Sequence, residues 1–156
     1  MNERPVYLTQ EGYQTLEEEL HHNETVRRRQ VAERLHNALT EGELIENAEL
    51  EEARREQSFV EGRILEIQNM LRHAVIIEKS EETGLVTLGA DVTVKEEGSE
   101  TLEEYQVVGS AEANPTKGKI SNESPLGKAL MGKKVGEKAT IHAPGGDITF
   151  EIVAIR

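Results

Sequence analysis

The chain has 156 residues and a formal net charge of −12 at pH 7, with 30 acidic residues against 18 Lys and Arg. Binding to nucleic acid depends on clustered Lys and Arg, so this acidity argues against independent DNA binding and favours a protein partner. The lack of Cys excludes disulfides and thiolate metal sites. No apolar run approaches the roughly 18 residues that span a bilayer, and no signal peptide is visible, which predicts a soluble, cytoplasmic protein without a membrane partner.

Two compositional shifts divide the sequence near residue 77. Of the two residues Lys and Arg, only Arg occurs before this point, and only Lys occurs after it, apart from Arg156. Ten of the 13 Gly also lie in the second half. A long helical hairpin followed by a turn-rich β domain would produce this pattern. We therefore predict an α+β protein with an antiparallel coiled coil at 1–76, a linker at 77–82 and an α+β domain with a small antiparallel sheet at 83–156.

The first half predicts two helices joined by a short turn. Thr9 is the predicted N-cap of the first helix. In the second helix a set of residues alternates spacings of four and three, which is the a/d pattern of a coiled-coil seam. This set comprises Ala53, Gln57, Val60, Ile64, Ile67, Leu71 and Ala74.

The first helix has a weaker seam than the second. Polar Asn23, Arg27 and Gln30 stand at positions where a regular seam would have apolar residues. The helix is still expected to pair antiparallel with the second, because the connection around Gly42 is too short for another arrangement. The apolar residues on compatible faces are Leu16, Leu20, Val31, Leu35 and Ala38.

The second half predicts short strands and one short helix. Ser124 is the predicted N-cap of this helix and Pro125 its first residue. The turn residues of 144–146 predict a hairpin between the last two strands. The predicted strand segments are 85–86, 92–94, 105–108, 139–141 and 148–153.

Two other patterns do not indicate a site. The segment 127–134 nearly matches a phosphate-binding loop, but Lys134 replaces the hydroxyl that would bind Mg²⁺, and the segment is predicted as a helix and its exit. The five His residues have no metal-ligand spacing. No arrangement of residues typical of a self-contained enzyme is visible.

Carboxylates cluster at 41–49, between the two predicted helices. Carboxylate oxygens are ligands for hard cations such as Mg²⁺, and acids at a hairpin tip can enter a deep cleft of another molecule. A simpler explanation also exists, because acids near a helix N-terminus interact favourably with the helix dipole, and Glu46 or Glu49 could serve only that purpose. Composition alone favours this simpler explanation.

Several segments together resemble the bacterial Gre transcript-cleavage factors of the GreA type, over nearly the whole chain. The most specific of these resemblances is that of segment 42–49 to the tip motif of the family, Gly-Asp-Leu-x-Glu-Asn-Ala-Glu. The segments that carry the resemblance are Thr9-x-x-Gly12-x-x-x-Leu16-x-x-Glu19-Leu20, Gly42-Glu43-Leu44-Ile45-Glu46-Asn47-Ala48-Glu49, Glu61-Gly62-Arg63-Ile64, Ser124-Pro125-Leu126-Gly127-Lys128-Ala129-Leu130-Met131-Gly132-Lys133 and Pro144-Gly145-Gly146.

The resemblance implies a function that is carried out in partnership. The N-terminal coiled coil would enter the secondary channel of RNA polymerase, and a C-terminal domain similar in fold to FK506-binding proteins would dock at the channel mouth. The factor would stimulate hydrolysis of the backtracked nascent RNA 3′ end by the polymerase's own active site. It would therefore not be an enzyme itself.

The resemblance also assigns residues to this function. Glu46 matches the tip Glu of the family and Glu43 its tip Asp; in trans, they would help to hold a second Mg²⁺ and orient water, since two-metal hydrolysis needs two ions roughly 4 Å apart. Stable Mg²⁺ binding to the free factor is not expected. Arg54 matches a basic residue that contacts polymerase or RNA. The other candidate partner contacts are Asn47, Glu49, Ser124, Pro125 and Gly127.

Three residues near the tip depart from the family pattern. Glu43 replaces Asp, Leu50 stands where Tyr is usual, and Leu39 replaces an Arg. These departures leave open an alternative function, a non-catalytic regulator or inhibitor that occupies the same channel. A generic coiled-coil adaptor is a third possibility.

Overall fold

The computed structural model describes residues 4–41, 47–78 and 84–156. These residues form two compact units: a hairpin unit within 13–73, and a sheet unit that contains the described residues of 1–12 and 74–156. The first residues thus belong with the second half of the chain, whereas the predicted division placed them in the coiled coil. Residues 79–82 of the predicted linker lie outside the described residues.

A short parallel strand pair explains why the ends of the first half belong to the sheet unit. Strand β1 (Val6–Leu8) pairs with β2 (Ala74–Ile76), and Leu8 is completely buried. The backbone N–H of Ile77 extends this pairing by donating to the carbonyl of Leu8 at 2.7 Å. Hydrogen bonds to residues 74–77 therefore fix the segment that precedes the first helix.

The first arm of the hairpin consists of α1 (Gln10–His22), a π-helical turn (Asn23–Arg27) and α2 (Arg28–Glu41). The second arm is α3 (Ala48–Arg72), which packs antiparallel to the first. The predicted helical hairpin is thereby confirmed. Its buried apolar residues are Leu16, Val31, Ala38, Leu50, Ala53, Val60, Ile64 and Ile67. Gln57, which the sequence pattern placed in the seam, is exposed.

The π-helical turn explains why polar Gln30 falls at a predicted seam position in the first arm. A regular heptad that starts from Leu16 and Leu20 continues through Asn23, Arg27 and Gln30. A π turn accommodates an extra residue in a helix, and this shifts the buried face by one position. The next fully buried residue is accordingly Val31 rather than Gln30, and it packs with Val60 and Ile64.

The sheet unit contains five further strands: β3 (Asp91–Glu96), β4 (Leu102–Val108), β5 (Lys119–Ser121), β6 (Lys138–Ala143) and β7 (Gly146–Ile155). They form one sheet in the order β5-β4-β3-β7-β6. Every pairing is antiparallel except that of β4 with β5, which is parallel. The predicted antiparallel sheet is therefore correct for four strands, and β5 was not predicted. The predicted strand at 85–86 is wrong, because Leu85 forms only an isolated bridge with Lys134.

A short helix, α4 (Pro125–Leu130), packs against the core of this sheet through buried Leu130. Ser124 caps it and Pro125 occupies its first turn, as predicted. Thr9 is confirmed as the N-cap of α1, because its Oγ1 accepts a hydrogen bond from the N–H of Gly12 at 3.0 Å. The architecture is α+β, as the sequence predicts. None of the described helices is long and apolar enough to span a membrane.

Candidate functional site

Asn47 joins the two helix ends that flank the predicted tip. Its side-chain oxygen accepts a hydrogen bond from the N–H of Leu50 at 3.1 Å, which caps the N-terminus of α3. Its side-chain nitrogen donates to the carbonyl oxygen of Ala38 in α2 at 2.8 Å. One amide therefore satisfies orphan backbone groups of both helices. The segment 42–46 runs between two helix ends that this side chain holds together.

An ion-pair network continues the connection between the helices below the tip. Arg34 of α2 lies 2.6 Å from Glu56 and 3.4 Å from Glu49, both on α3, and Arg27 lies 2.7 Å from the other oxygen of Glu56. The hydrogen bond from Arg34, and then that from Arg27, lowers the pKa of Glu56. Glu56 therefore stabilises the folded hairpin at pH values above the pKa that its carboxyl has in the unfolded chain. This stabilisation is lost as the pH falls through the lower pKa of the folded state.

The two residues that the resemblance assigns to Mg²⁺, Glu43 and Glu46, lie outside the described residues. The described acids next to them are Glu49 and Glu51, in the first turn of α3. Acids at a helix N-terminus interact favourably with the helix dipole, and this interaction is the simpler explanation for the carboxylate of Glu49. In the described ranges 4–41, 47–78 and 84–156, no group of three or more acidic or His side chains could hold a metal ion.

The remaining tip residues differ in exposure. Arg54 is exposed on α3 and forms no ion pair with another described residue, so its guanidinium faces solvent. Leu39 exposes 49% of its surface, whereas Leu50 is buried with 5% exposed. Leu50, at the position where the family usually has Tyr, therefore fills the interior of the hairpin. The contacts predicted for Arg54, Asn47 and Glu49 stay predictions.

The candidate contacts in the sheet unit have clear structural roles. The hydroxyl of Ser124 accepts from the N–H of Gly127 at 3.1 Å and donates to the carbonyl of Ser121 at 2.6 Å. Gly127 is buried, and a Cβ added there would lie 1.9 Å from the Ser121 carbonyl oxygen. Pro125 is exposed. Of these candidates, Pro125 offers a side-chain surface to a partner, whereas Gly127 permits α4 to approach the end of β5.

Glu112 is a structurally important residue that the sequence analysis missed. Its side chain is 5% exposed, and one oxygen accepts from the N–H of Thr9 at 3.0 Å while the other accepts from the Thr9 hydroxyl. The ammonium of Lys119 lies 3.6 Å away. This carboxylate therefore binds the N-terminus of α1 from a position 103 residues away. No local sequence pattern signals a pairing at that separation.

Replacing Asn47 with Asp should separate its two roles. Asp keeps the oxygen that caps α3 but loses the N–H that binds Ala38, so we expect a loss of about 1 kcal/mol in hairpin stability. Asn47→Ala removes both bonds and should cost about 2 kcal/mol. Urea unfolding followed by helical circular dichroism measures both variants. Equal stability of Asn47→Ala and the wild-type protein would show that the side chain does not hold the helix ends.

The class of protein is defined by these features: an α+β protein with an antiparallel helical hairpin, held together at its end, and a mixed five-stranded sheet. Family models match both halves: "Transcription elongation factor, N-terminal" at residues 6–76 and "Transcription elongation factor, GreA/GreB, C-term" at 81–156. The chain therefore belongs to the GreA/GreB family of transcription elongation factors.

Two GreA proteins agree with this assignment. The chain is 50% identical to transcription elongation factor GreA of Bacillus cytotoxicus over 155 residues, covering 99% of this chain and 98% of that protein. It is 47% identical to GreA of Clostridium perfringens over 157 residues, covering 100% and 99%. Among solved structures, GreA factor homolog 1 of Thermus thermophilus has 35% identity and a TM-score of 0.44, covering 98% of this chain and 99% of that one.

Proposed function

We propose that this chain binds the secondary channel of RNA polymerase and stimulates hydrolysis of backtracked RNA by the polymerase active site. The observation that carries the proposal is that Asn47 holds together the end of α2 and the start of α3. In the sequence, residues 42–46 connect these two helix ends. We therefore assign the carboxylates of the tip motif to the end of the helical hairpin.

The narrow cross-section of a two-helix hairpin suits entry into a channel. With about 1.5 Å of rise per residue, the 25 residues of α3 span roughly 37 Å. Cross-arm ion pairs support this length: Arg28 with Glu61 at 2.8 Å and Arg63 with Glu19 at 2.8 Å.

Glu43 and Glu46 are the residues we assign to the chemistry. Their carboxylates would provide oxygen ligands for a Mg²⁺ ion shared with the polymerase, and such ions prefer carboxylate and water oxygens. A second metal ion in a two-metal site supplies charge stabilisation and a reactive water. The chain contributes the ligands, whereas the active site belongs to the polymerase. On this proposal, the chain alone is not an enzyme.

Docking at the channel mouth would be the role of the sheet unit. An acidic hairpin is repelled by nucleic acid, so a protein surface must hold the factor in register. Exposed Pro125, in the first turn of the capped helix α4, is the candidate contact. The hydroxyl of neighbouring Ser124 is already bonded to Ser121 and Gly127. The 50% identity to a GreA protein over both halves supports a shared mode of binding.

The alternative is a non-catalytic regulator that occupies the same channel. It is favoured by the sequence of the tip, in which Glu43 stands at the position of Asp and Leu39 at that of Arg. Leu39 exposes 49% of its surface near the end of α2, so this end of the hairpin has an apolar group where a cation is usual. The two functions differ in one measurable outcome, which is cleavage.

Cleavage of RNA in a purified backtracked complex tests the proposal. Labelled RNA is followed with polymerase alone, with the wild-type factor, and with the factor changed at both Glu43→Gln and Glu46→Gln. We expect the wild-type factor to release 3′ fragments faster than polymerase alone, and the double variant to bind without doing so. Binding with inhibited elongation and no cleavage would establish the alternative, and an absence of binding would favour an adaptor.

A further inference from the structure

The side of α3 that faces away from the first arm carries an unusual group of residues. Phe59 exposes 75% of its surface and Leu65 exposes 67%, the highest values for large hydrophobic side chains in the described part of the chain. At about 100° per residue, Gly62 lies about 160° around the helix from buried Ile64, and Phe59 and Leu65 lie about 60° to either side of it. The three residues form one surface, which we call the outer face of α3.

No contact within the described part of the chain explains why residue 62 is a glycine. Glycine in the middle of a helix destabilises it relative to alanine. Gly127 is different, because a backbone carbonyl occupies the space where its Cβ would be. At Gly62 no atom of the described residues lies within 4 Å of an added Cβ, and the residue is exposed. The absent side chain leaves a notch between two exposed apolar side chains, into which atoms of another molecule can approach the helix backbone.

The charges beside the outer face do not favour a nucleic acid on it. Arg63 is bound by Glu19 at 2.8 Å and by Glu66 at 3.2 Å, so its guanidinium is already engaged. Arg55 has a longer contact with Glu52 at 3.7 Å. The acidic side chains that pair with these two arginines would repel the phosphates of a nucleic acid close to Phe59. An apolar protein surface fits the outer face better than RNA.

We propose that the outer face of α3, made by Phe59, Gly62 and Leu65, is a docking surface for an apolar protein segment of RNA polymerase. The inference rests on the proposed function, which names the polymerase as partner, and adds the surface and its chemistry. Backbone or small side chains of the partner enter the notch at Gly62. Phe59 and Leu65 pack on either side of this contact.

The size of the surface argues for a partner that is also held elsewhere. A Phe side chain buries on the order of 200 Å² at most, so these residues supply a few hundred Å². A stable dimer of two copies buries roughly 1,200 Å² or more. The outer face alone is too small for self-association. It suits a local contact within a larger interface to which other parts of the chain contribute.

Three substitutions test the proposal in the intact protein. Equilibrium binding to purified RNA polymerase is measured for Phe59→Ala, Gly62→Ala and Gly62→Leu, with thermal unfolding of each free variant. The matched control is His36→Ala, an exposed polar position on the first arm. We expect Phe59→Ala and Gly62→Leu to weaken binding by about tenfold or more. His36→Ala should bind within about twofold of the wild-type protein.

Gly62→Ala is the most discriminating variant. Alanine should stabilise the free helix and raise Tm by about 2–4 °C. Its Cβ should at the same time weaken polymerase binding several-fold, because it occupies the notch. A purely structural role for Gly62 predicts no loss of affinity in a more stable protein. Opposite changes in stability and affinity would therefore support a docking surface.

Other outcomes would overturn the inference in distinguishable ways. If the wild-type factor binds polymerase and the Phe59 and Gly62 variants bind equally well, the outer face is not a contact, and the proposed function stands. If the wild-type factor does not bind polymerase, the proposed function fails and the named partner fails with it. A wild-type dimer in sedimentation that Phe59→Ala abolishes would identify a second copy as the occupant and overturn the proposal.

Discussion

Replacing Glu46 with Gln should lower stimulated RNA cleavage by at least about tenfold while folding and polymerase affinity stay nearly unchanged. The change keeps the size of the side chain but replaces a carboxylate oxygen with an amide, which is a poor ligand for Mg²⁺. Glu46 lies between the ends of α2 and α3, outside the described residues, and the resemblance assigns it to the metal. Cleavage in a backtracked complex, measured at several Mg²⁺ concentrations, is the readout.

Glu51→Gln is a matched control for this prediction, because it removes one carboxylate five residues away. Glu51 is described in the structure, lies in the first turn of α3 and is exposed. Its loss should leave cleavage within about twofold, since this carboxylate lies outside the tip motif and is assigned no part in holding Mg²⁺. Equal losses in both variants would indicate that the total charge of the tip matters rather than one metal ligand. Wild-type cleavage by Glu46→Gln would refute its metal role.

The helical hairpin could be predicted from sequence because burial on one side of a helix imposes a period on the residues. Val60, Ile64 and Ile67 show this period in α3, and they are fully buried. In the first arm the period shifts at the π-helical turn Asn23–Arg27, so a regular heptad places Gln30 where Val31 is found. A change of helix type is a tertiary effect that local residues do not specify on their own.

Short strands were the elements that sequence could not predict. Strands β1, β2 and β5 each have three residues, too few to establish an alternating pattern. Partners distant in the chain define them: Val6 pairs with Ala74, and Val107 with Ile120. The division of the chain into units depends on such pairings. For this reason the boundary drawn from composition near residue 77 differs from the structural one.

The candidate site was predictable only in part, for a similar reason. The tip motif is continuous in sequence, so Glu43 and Glu46 are assigned to the metal from the resemblance, and this assignment stays a prediction. The support for the tip is not continuous: Asn47 was considered as a partner contact, whereas both polar atoms of its side chain bind within the chain. The role of Glu112 depends on folding that brings it to Thr9. Residues that hold the helix ends in place are therefore found in the structure, whereas the residues predicted to act are assigned from a motif alone.

Replacing Gly127 with Ala should destabilise the sheet unit by about 2–4 kcal/mol, since the new methyl group has no space. Its Cβ would lie 1.9 Å from the carbonyl oxygen of Ser121 and 2.9 Å from its carbon, and both are backbone atoms. A flexible side chain could move away, but here the end of β5 would have to separate from α4. The Ser124 cap would be strained by the same movement, because its hydroxyl binds both Gly127 and Ser121.

Gly145→Ala is the control for this prediction, because it adds the same methyl group at an exposed turn. No atom in ranges 4–41, 47–78 and 84–156 lies within 4 Å of an added Cβ there, and Gly145 has no positive φ. Its stability should stay within about 0.5 kcal/mol of the wild-type value. The chain has no Trp, so urea unfolding is followed by far-ultraviolet circular dichroism. A Gly127→Ala protein that unfolds at the wild-type urea concentration would contradict the close approach of α4 to β5. A lower urea midpoint in Gly127→Ala but not in Gly145→Ala would show that Gly127 is needed for packing. Any loss of polymerase affinity in the same variant would then follow from the displaced Ser124 cap rather than from a direct contact of Gly127.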